Sequence, residues 1–459
     1  MMIRDKINTH KILQEEGYHT SRDDYDEIAN LANQMINESG MDVDDALDLI
    51  RRMKGKQEKK QTKRKEPVPI SVYGEINLDI DQEAYDQLEE ACRLPVAISG
   101  SLMPDAHVGY AFPVGGVAAL DNAVSPAFVG FDIACRMKMS IMQISPDDFE
   151  NNRDQLAKIL DGVTSFGLGA DFADGKRDHP VMEDPRWNQI KKAAELKGKA
   201  AKQLGSSGSG NHFADIMTGT VLKEKEWLPL KKGDHFVALL THSGSRGTGH
   251  QIATHYKNLA EKETQKRTKG ISKNYSWLNL DEDSGREYWM AMQLMGDYAS
   301  ANHELIHKHF AKETGIKIVV SYENHHNFAW KKENMIIHRK GATPAEKGVV
   351  GIIPGSMGTP SYLVEGLGDK ESLWSSAHGA GRVSSRRQAK KNHDEGAYRK
   401  FLKEKDILTI GVARDETYQC YKDIGRVMSL QEGKLVETVA EMNPRVVIMG
   451  GGRKSDDGD

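Results

Sequence analysis

The sequence has few cysteines and no long apolar run, and each shortage excludes a class of protein. Three cysteines among 459 residues cannot build a disulfide framework, so they suit a reducing compartment such as the cytoplasm. No apolar run reaches the ~18 residues that a membrane-spanning helix needs, which excludes a helical membrane protein. Residues 1–10 contain no apolar stretch, so we expect no secretory signal peptide.

The sequence also lacks an excess of either charge. It contains 63 lysines and arginines against 67 aspartates and glutamates, which gives a formal net charge of −4. A polycationic surface over the whole protein is therefore excluded, and a nucleic-acid partner must be held by a local basic surface. The length permits two or three average domains, or one large domain with insertions.

The N-terminal part of the chain differs in composition from the rest. Residues 1–50 are acidic and carry apolar residues at helical spacing, which predicts a small helical extension. Residues 51–67 are basic and almost wholly polar, so a solvated linker and a phosphate-contacting arm both remain open. Residues 68–450 then form the main body, and residues 451–459 form a polar tail.

Within the main body, short apolar runs alternate with polar stretches of helical length. The apolar runs predict strands. This alternation indicates a mixed α/β or α+β fold with one extended core, and the absence of a repeat of 20–50 residues argues against a solenoid or propeller. Helices are expected at 81–92, 150–160, 187–204, 285–313 and 387–403.

The common nucleotide-binding and nucleophile motifs are missing. The sequence contains no P-loop, no Rossmann fingerprint and no GxSxG elbow. The KxDG signature of lysine-dependent nucleotide ligases is also absent, because Phe172 stands where its lysine would be in Phe172-Ala-Asp-Gly175. If the protein transfers a nucleotidyl group, its nucleophile is therefore not that lysine.

Five side chains have the chemistry and the setting of metal ligands. Asp132 and Cys135 are three residues apart after an apolar stretch, so both can face one ion. His212 ends a glycine-rich loop, and His242 and His326 follow apolar strands. A lone histidine is more often a buried structural residue, but this convergence favours a metal site. Two ions that share the thiolate would use all five ligands, and ligand softness alone favours Zn²⁺ or Co²⁺.

A second group of glycine-rich loops has the chemistry of phosphate binding. His378 lies four residues before Arg382, and Arg246 lies in a similar loop. A guanidinium binds phosphate in a bidentate manner, and a histidine held beside phosphates can act as a nucleophile. A structural role for His378 in fixing its loop remains equally open. Residues 354–358 with Ser361 predict a further phosphate or nucleotide loop.

An ordered set of motifs across residues 67–450 resembles the RtcB-type RNA-splicing ligases. No single motif is specific, but the order of the set is. The resemblance implies a distinctive α/β fold that encloses a metal cleft. It also implies a cytoplasmic enzyme that uses GTP and Mn²⁺ to join an RNA 3′-phosphate or 2′,3′-cyclic phosphate to a 5′-hydroxyl, in tRNA splicing or RNA repair. The motifs are PDAH with GYAFPVGGVAAL, GFDIAC, GSGNHF, HSGSRGTGH, HNFAW, HRKGAT, PGSMGTPSY, SSAHGAGRVSSR and DETYQCYKDI.

The resemblance further implies a two-manganese site. Asp132, Cys135 and His212 would bind one ion, and Cys135, His242 and His326 would bind the other, with the thiolate as the bridge. This arrangement uses the same five ligands that the residue chemistry singles out, and it replaces zinc with manganese.

Roles in nucleotide transfer are implied as well. His378 matches the histidine that forms a GMP-histidine intermediate, and Arg246 and Arg382 match arginines that hold phosphates. The expected nucleotide contacts are Asn211, His212, Phe213, Ala214, Asp215, His326, Asn327, Pro354, Gly355, Ser356, Met357, Ser361, His378, Gly379, Ala380 and Gly381.

Four positions depart from the family pattern. Pro360 lies in the nucleotide loop where a small residue is usual, and His325 adds a second imidazole beside His326. The other two bear on the nucleotide base. Met449 stands where the family has a lysine at the guanine, and Asp215 stands where a longer glutamate is common, so we expect a weakened guanine preference. The alternatives are a family variant for RNA repair or 3′-end capping with a different nucleotide or substrate, a metal-dependent phosphoesterase, and an RNA-binding protein with a relic site. The intact ligand set argues against the last. The expected partners are tRNA or other structured RNA with broken ends, and an archease-like activator.

Overall fold

The computed structural model divides the chain into two compact units. The first comprises residues 1–62 with 265–270, and the second comprises residues 63–264 with 271–459. The second unit contains every candidate site residue. The expected helical extension at 1–50, most of the basic segment 51–67 and the tail after residue 451 lie outside the described residues. The described residues are 34, 41–42, 45, 60–167, 169–172, 177–411 and 414–451.

The second unit begins at Lys63 rather than at the predicted residue 68. The N–H of Arg64 donates to the Arg93 carbonyl oxygen at 2.8 Å, and its Nε donates to the Leu94 carbonyl oxygen at 3.2 Å. Lys63 pairs with Glu90. The end of the basic segment is therefore held against the body by main-chain bonds, which composition does not reveal.

The expected helices are confirmed, and one long helix is additional. The predicted helix 187–204 is interrupted at Ile190, and 387–403 is interrupted at His393. The additional helix, Arg246–Arg267, begins with two glycines in its first turn, which made the sequence resemble a loop. The helices are α1 (Gln82–Cys92), α2 (Pro126–Val129), α3 (Pro146–Val163), α4 (Arg186–Gln189), α5 (Lys191–Gln203), α6 (Arg246–Arg267), α7 (Asp283–Thr314), α8 (Arg386–Asn392), α9 (Glu395–Glu404) and α10 (Ile424–Ser429).

Local signals set the limits of the main helices. Helix α3 begins after Ser145, whose hydroxyl oxygen accepts the Asp148 N–H at 3.0 Å, and Pro146 occupies the first turn. Helix α7 ends at Gly315, which adopts a φ of 71° that favours glycine. None of the helices formed by the described residues is long and apolar enough to cross a membrane.

The strands confirm the mixed α/β architecture. Most of them belong to two sheets, and short two-stranded pairs connect the remainder. The strands are β1 (Gln61–Thr62), β2 (Ile70–Val72), β3 (Ala97–His107), β4 (Val114–Leu120), β5 (Ala123–Val124), β6 (Arg136–Met142), β7 (Phe213–Val221), β8 (His235–Ser243), β9 (Thr268–Lys269), β10 (Leu278–Asn279), β11 (Ile318–His325), β12 (Asn327–Lys332), β13 (Met335–Lys340), β14 (Ala342–Pro344), β15 (Val350–Ile353), β16 (Ser361–Gly366), β17 (Ser375–Ala377), β18 (Leu408–Ile410) and β19 (Val436–Met449).

The larger sheet curls around an apolar interior. Its strand order is β11-β6-β8-β7-β19-β16-β15, with β18 beside β19. The end strands β11 and β15 meet where the Asn324 side chain bonds the carbonyl oxygen and the N–H of Ile352, at 3.4 and 3.2 Å. Met139, Leu240 and their neighbours fill the interior, while the other face packs on α3 and α7.

The second sheet has the order β12-β13-β4-β3-β2 and packs against helix α1. The helix approaches β3 closely at Gly100, where an added Cβ would lie 2.4 Å from the Cys92 Sγ. Strand β12 starts directly after the residue that follows β11, so the two sheets meet at His326. This junction is where the predicted ligands lie.

Candidate functional site

The strand register brings the predicted histidine and cysteine ligands to one rim of the larger sheet. Cys135 precedes β6, His212 precedes β7 and His326 follows β11. His242, near the end of β8, is paired with Phe213 at the start of β7. Because neighbouring antiparallel strands begin and end at the same rim, residues distant in sequence become neighbours in space.

The five predicted metal ligands form two groups that share one thiol. The Cys135 Sγ lies 3.1 Å from the His242 Nε2 and 3.3 Å from the His212 Nε2. The Asp132 Oδ2 is 3.0 Å from the His212 Nε2, and the His326 Nε2 is 3.3 Å from the His242 Nε2. Each group has three ligand atoms within reach of one ion, which is the predicted arrangement.

Backbone carbonyls orient two of the imidazoles. The His212 Nδ1 lies 3.0 Å from the Ser207 carbonyl oxygen, and the His242 Nδ1 lies 3.0 Å from the Asn211 carbonyl oxygen. A carbonyl can only accept, so each Nδ1 carries the hydrogen and each Nε2 keeps its lone pair. The lone pairs therefore face the Cys135 thiol, as in metal centres whose histidines are fixed by outer hydrogen bonds.

The charge balance of this cluster fits a divalent cation. Burial opposes ionisation of Asp132, but the close contact with the His212 imidazole and the charge of Arg246 prevail and lower its pKa to about 2. Burial, together with the Asp132 charge, raises the pKa of the Cys135 thiol well above its usual value. Burial lowers the pKa of His242 and His326, so both stay neutral. A bound cation would supply the compensation that releases the thiol proton.

His378 lies beside the metal cluster and is oriented by an aspartate from the PDAH motif. The His378 Nδ1 is 2.6 Å from the Asp105 Oδ2, and the same oxygen accepts the N–H groups of His378 and Gly379 at 3.0 and 3.3 Å. The ring centroids of His378 and His326 are 4.9 Å apart. Nδ1 is therefore engaged, and Nε2 is the nitrogen available for chemistry. Asp105 belongs to the PDAH motif, but nothing local in the sequence indicates this role.

The two predicted phosphate-binding arginines are placed differently. Arg382 lines the cleft, and its guanidinium contacts the Glu416 Oε1 at 3.3 Å and the Asp415 carbonyl oxygen at 2.8 Å. Arg246 is buried outside the cleft lining, with a φ of 58° and its Nε donating to the Ser206 Oγ at 3.1 Å. The Glu416 carboxylate thus competes with a phosphate for Arg382, whereas Arg246 lies outside the cleft lining and contacts Ser206.

Lys340, which the HRKGAT motif offers as added positive charge, also lines the cleft. The Lys340 Nζ donates to the carbonyl oxygens of Tyr110 and Phe112 at 2.6 and 2.7 Å. Burial lowers the pKa of Lys340 to about 7. The signal available in the sequence was the HRKGAT motif, in which three consecutive cationic or titratable residues precede a glycine.

The cleft has a volume of about 280 Å³ and gathers most of the predicted nucleotide contacts. All of them line it except His212, which belongs to the metal cluster, and Ala214. Ala214 lies between Phe213 and Asp215 on β7, so its side chain faces the opposite side of the sheet and packs in the outer core. All predicted nucleotide contacts other than His212 and Ala214 therefore form one continuous surface of the cleft.

One end of the cleft is apolar and holds a single buried carboxyl group. Met357, Val447 and Met449 pack in one cluster, to which the Phe213 ring is added. Asp215 is paired with Val447 across the strands. Burial raises its pKa well above the usual value, and its Oδ1 has no hydrogen-bond partner among the described residues. We call Asp215, Met357, Val447 and Met449 the apolar end. A ligand that donates a hydrogen bond would satisfy this carboxyl group.

The comparisons with known proteins agree with this geometry. The protein family described as tRNA-splicing ligase RtcB matches residues 87–450. The chain is 31% identical to the tRNA-splicing ligase RtcB of Methanococcus maripaludis, with 83% of this chain and 95% of the relative covered. It is 31% identical to the RNA-splicing ligase RtcB of Mycobacterium tuberculosis (79% and 100% covered) and 29% identical to that of Escherichia coli K12 (84% and 98% covered).

Proposed function

The chain belongs to the RtcB family of tRNA-splicing ligases, and on that premise we propose that it joins an RNA 3′-phosphate or 2′,3′-cyclic phosphate end to a 5′-hydroxyl end through a GMP-histidine intermediate. RNA ligase activity agrees with the names of its relatives. The observation that carries the mechanism is the Asp105–His378 hydrogen bond beside the metal cluster.

In the first step, His378 acts as the nucleophile. Because Asp105 accepts the proton of Nδ1, the Nε2 lone pair attacks the α-phosphorus of GTP. A P–N bond forms, the P–O bond to the β-phosphate breaks, and pyrophosphate leaves. The negative charge of Asp105 stabilises the positive charge that develops on the ring during the attack.

The next two steps transfer and then release GMP. A 2′,3′-cyclic end is first opened by water, which breaks the bond from phosphorus to the 2′-oxygen and leaves a 3′-phosphate. An oxygen of the RNA 3′-phosphate then attacks the phosphorus on His378, the P–N bond breaks, and the imidazole regains its lone pair. The 5′-hydroxyl oxygen then attacks the activated RNA phosphorus, forms the phosphodiester and expels GMP. The 5′-hydroxyl proton passes to a neighbouring base or to water.

We propose that the two ligand groups hold two Mn²⁺ ions. Asp132 and His212 would complete one site, His242 and His326 would complete the other, and Cys135 would bridge them. When bound, the ions neutralise charge on the transferring phosphoryl groups. The chain's own contribution is the orientation of these side chains by backbone carbonyls.

The proposal extends to the nucleotide and to the cellular setting. The apolar end would receive the base of GTP, and Lys340 and the loop at Pro354–Met357 would lie along its phosphates. A reducing compartment such as the cytoplasm would keep the Cys135 thiol available. The family resemblance also supports an archease-like activator, which joining assays with and without such a protein would test.

Intact mass spectrometry tests the proposed function. The full-length protein is incubated with GTP and Mn²⁺, and we expect a GMP adduct that is acid-labile and alkali-stable, as a phosphoramidate is. Peptide mapping should place the adduct on His378, and His378→Ala should remove it while metal content stays unchanged. Adding RNA with a 3′-phosphate should discharge the adduct.

The same experiment separates the ligase from a metal-dependent phosphoesterase. A phosphoesterase needs the metals but forms no covalent nucleotide, so it would release RNA phosphate without an adduct. An adduct on a lysine, or one that persists in His378→Ala, would contradict the assignment of the nucleophile.

A further inference from the structure

A row of rings near the cleft has no part in the reaction proposed above. The ring centroids of Tyr110 and Phe131 are 5.6 Å apart, and those of Phe131 and His250 are 5.3 Å apart in a stacked arrangement. Phe131 lines the cleft and directly precedes the ligand Asp132. We call Tyr110, Phe131 and His250 the aromatic ladder. It leads from the metal cluster toward solvent, where Tyr110 is 53% exposed.

Two ammonium groups flank the aromatic ladder. The Lys257 Nζ lies 5.6 Å from the Tyr110 ring centroid and also contacts Glu261. Lys340 donates to the Tyr110 carbonyl oxygen from within the cleft. Rings interleaved with cations are the composition by which proteins bind single-stranded nucleic acid, since bases stack on the rings and phosphates pair with the cations.

The backbone that carries Tyr110 is held in a strained conformation. Ala111 has a φ of 63°, a left-handed value that is unfavourable for a residue with a side chain. The Tyr110 carbonyl oxygen accepts the Phe112 N–H at 2.7 Å as well as the Lys340 ammonium. Strain that several bonds maintain is concentrated at ligand-binding positions. Tyr110 itself is exposed, whereas Ala111 and Phe112 after it pack in the core, so the turn sets the exposed ring beside a buried anchor.

We propose that the aromatic ladder is a base-stacking subsite for the RNA ends that the enzyme joins. The proposal rests on the ligase function proposed above and adds the site where the substrate's bases bind. Tyr110 would stack against the terminal base of one RNA end, Phe131 would continue the apolar surface to the cleft, and Lys257 would pair with a phosphate. RNA is favoured over a protein partner because Phe131 lines the same cleft as the metal ligands Asp132 and Cys135, and because the ladder is flanked by two lysines.

A double-mutant cycle between ring and base tests this proposal. The affinity of the full-length protein with Mn²⁺ and without GTP is measured by fluorescence anisotropy for two short oligoribonucleotides. One ends in a 3′-phosphate and the other in a 5′-hydroxyl. Each is prepared with an ordinary and with an abasic terminal nucleotide, so the two pairs show which RNA end occupies the ladder.

For one of the two ends, we expect Tyr110→Ala to weaken binding by about 5- to 100-fold. Removing the terminal base should weaken binding to the unaltered protein by a similar factor. It should have little effect on Tyr110→Ala, because ring and base act through the same contact. Tyr110→Phe and Tyr110→Trp should bind that oligonucleotide about as tightly as tyrosine does.

Val319→Ala is the matched control for loss of exposed apolar surface. Val319 is 49% exposed and lies near the start of β11, at the opposite end of the strand from His326. Its substitution should leave both affinities unchanged. Formation of the GMP adduct by the unaltered protein checks the ligase proposal separately, since RNA stacking plays no part in that step.

The stacking proposal is overturned if Tyr110→Ala binds both oligonucleotides as tightly as the unaltered protein. It is also overturned if the base deletion and the ring deletion add independently. Impaired joining at unchanged oligonucleotide affinity would also overturn it, because the ladder would then act on a step after RNA binding.

Discussion

The two ends of the cleft are built by opposite means. The metal end comprises the five ligands and His378. Where the Nδ1 of a histidine in this group is hydrogen-bonded, the bond fixes the orientation of the ring and with it the direction of Nε2. At the apolar end, packing replaces hydrogen bonding, and the Asp215 Oδ1 has no partner among the described residues. The comparison teaches that polar contacts within the chain orient most side chains of the metal end, whereas the carboxyl group of the apolar end would find its partner on a bound ligand.

The largest effect is expected from removal of the thiol that both ligand groups share. Cys135→Ala should abolish RNA joining and lower the metal content of both sites, because the thiolate would bridge them. Metal analysis and joining assays on the same sample check this. Cys92→Ala, which removes a buried thiol from the α1 cluster, is the control and should change neither. Normal metal content with normal turnover in Cys135→Ala would end the bridging hypothesis.

The next largest effect concerns the orientation of the nucleophile. Asp105→Asn keeps the size of the side chain but loses the charge that fixes the His378 proton on Nδ1. We expect adduct formation to slow by about 10²- to 10⁴-fold while metal content stays constant. Rapid-quench measurement of the adduct checks the rate. A parallel loss of metal would show that Asp105 supports the ligands rather than the nucleophile.

A third test asks how much the buried Lys340 of the cleft lowers the free energy of unfolding. The folded pKa of Lys340 is about 7, whereas an unfolded lysine has a pKa near 10.4. The unfolded chain therefore binds an extra proton between these values. The cost is complete below about pH 7 and disappears as the pH rises toward 10.

Substitution of Lys340 should reveal this cost. Relative to the unaltered protein, Lys340→Met should be more stable near pH 7 than near pH 10, by up to about 4 kcal/mol. The loss of its two hydrogen bonds is the same at both pH values and cancels. Urea unfolding midpoints at the two pH values measure the difference, and Lys400→Met on α9 controls for the lost charge. A pH-independent difference would contradict the lowered pKa.

At the apolar end, we expect a smaller change, in base selectivity. A methionine thioether cannot donate a hydrogen bond to the guanine O6, so GTP should be preferred over ATP only weakly. Met449→Lys should raise the preference about tenfold, Asp215→Asn should lower it, and Met449→Leu is the apolar control. Adduct formation with each nucleotide provides the measurement. A strict GTP preference that none of these variants alters would mean that the base is read elsewhere.

The smallest effect is expected from the N-terminal segment. Because Lys63 and Arg64 bond to the body, the informative deletion is of residues 1–59. If the basic segment contacts phosphates, RNA binding should weaken slightly, and its salt dependence should fall by ~0.7–0.9 per lost contact. Adduct formation should not change. An unchanged salt slope would identify the segment as a solvated linker.

The sequence was sufficient to predict the metal end because its signals are local. The three histidines lie at strand ends, and Asp132 and Cys135 lie in the segment between α2 and β6, so adjacent strands bring these positions together. Asp105 could not be assigned in this way, since its partner His378 lies 273 residues further along the chain. The contacts of Arg382 with Glu416 and Asp415 are equally non-local, so its charged surroundings were not foreseen.

The prediction of the fold shows the same difference between local signals, which the sequence carries, and non-local contacts, which it does not. Helices with an apolar stripe were predicted, whereas α6 was missed because Gly247 and Gly249 lie in its first turn. The body starts at Lys63 because main-chain hydrogen bonds join this segment to the end of α1. Such bonds cannot be inferred from composition. The missed helix shows where tertiary contacts outweigh local propensity.

The bond between Asn324 and Ile352 has a consequence for the order of folding. Asn324 lies two residues before the ligand His326, and Ile352 lies two residues before Pro354, so closure of the sheet brings the metal ligands and the nucleotide loop together. The ligands come from strands widely separated in sequence, and such contacts form slowly. We therefore expect that, during refolding, the metal ions bind only after the sheet has closed. Metal binding would then follow the folding of the body and would not initiate it.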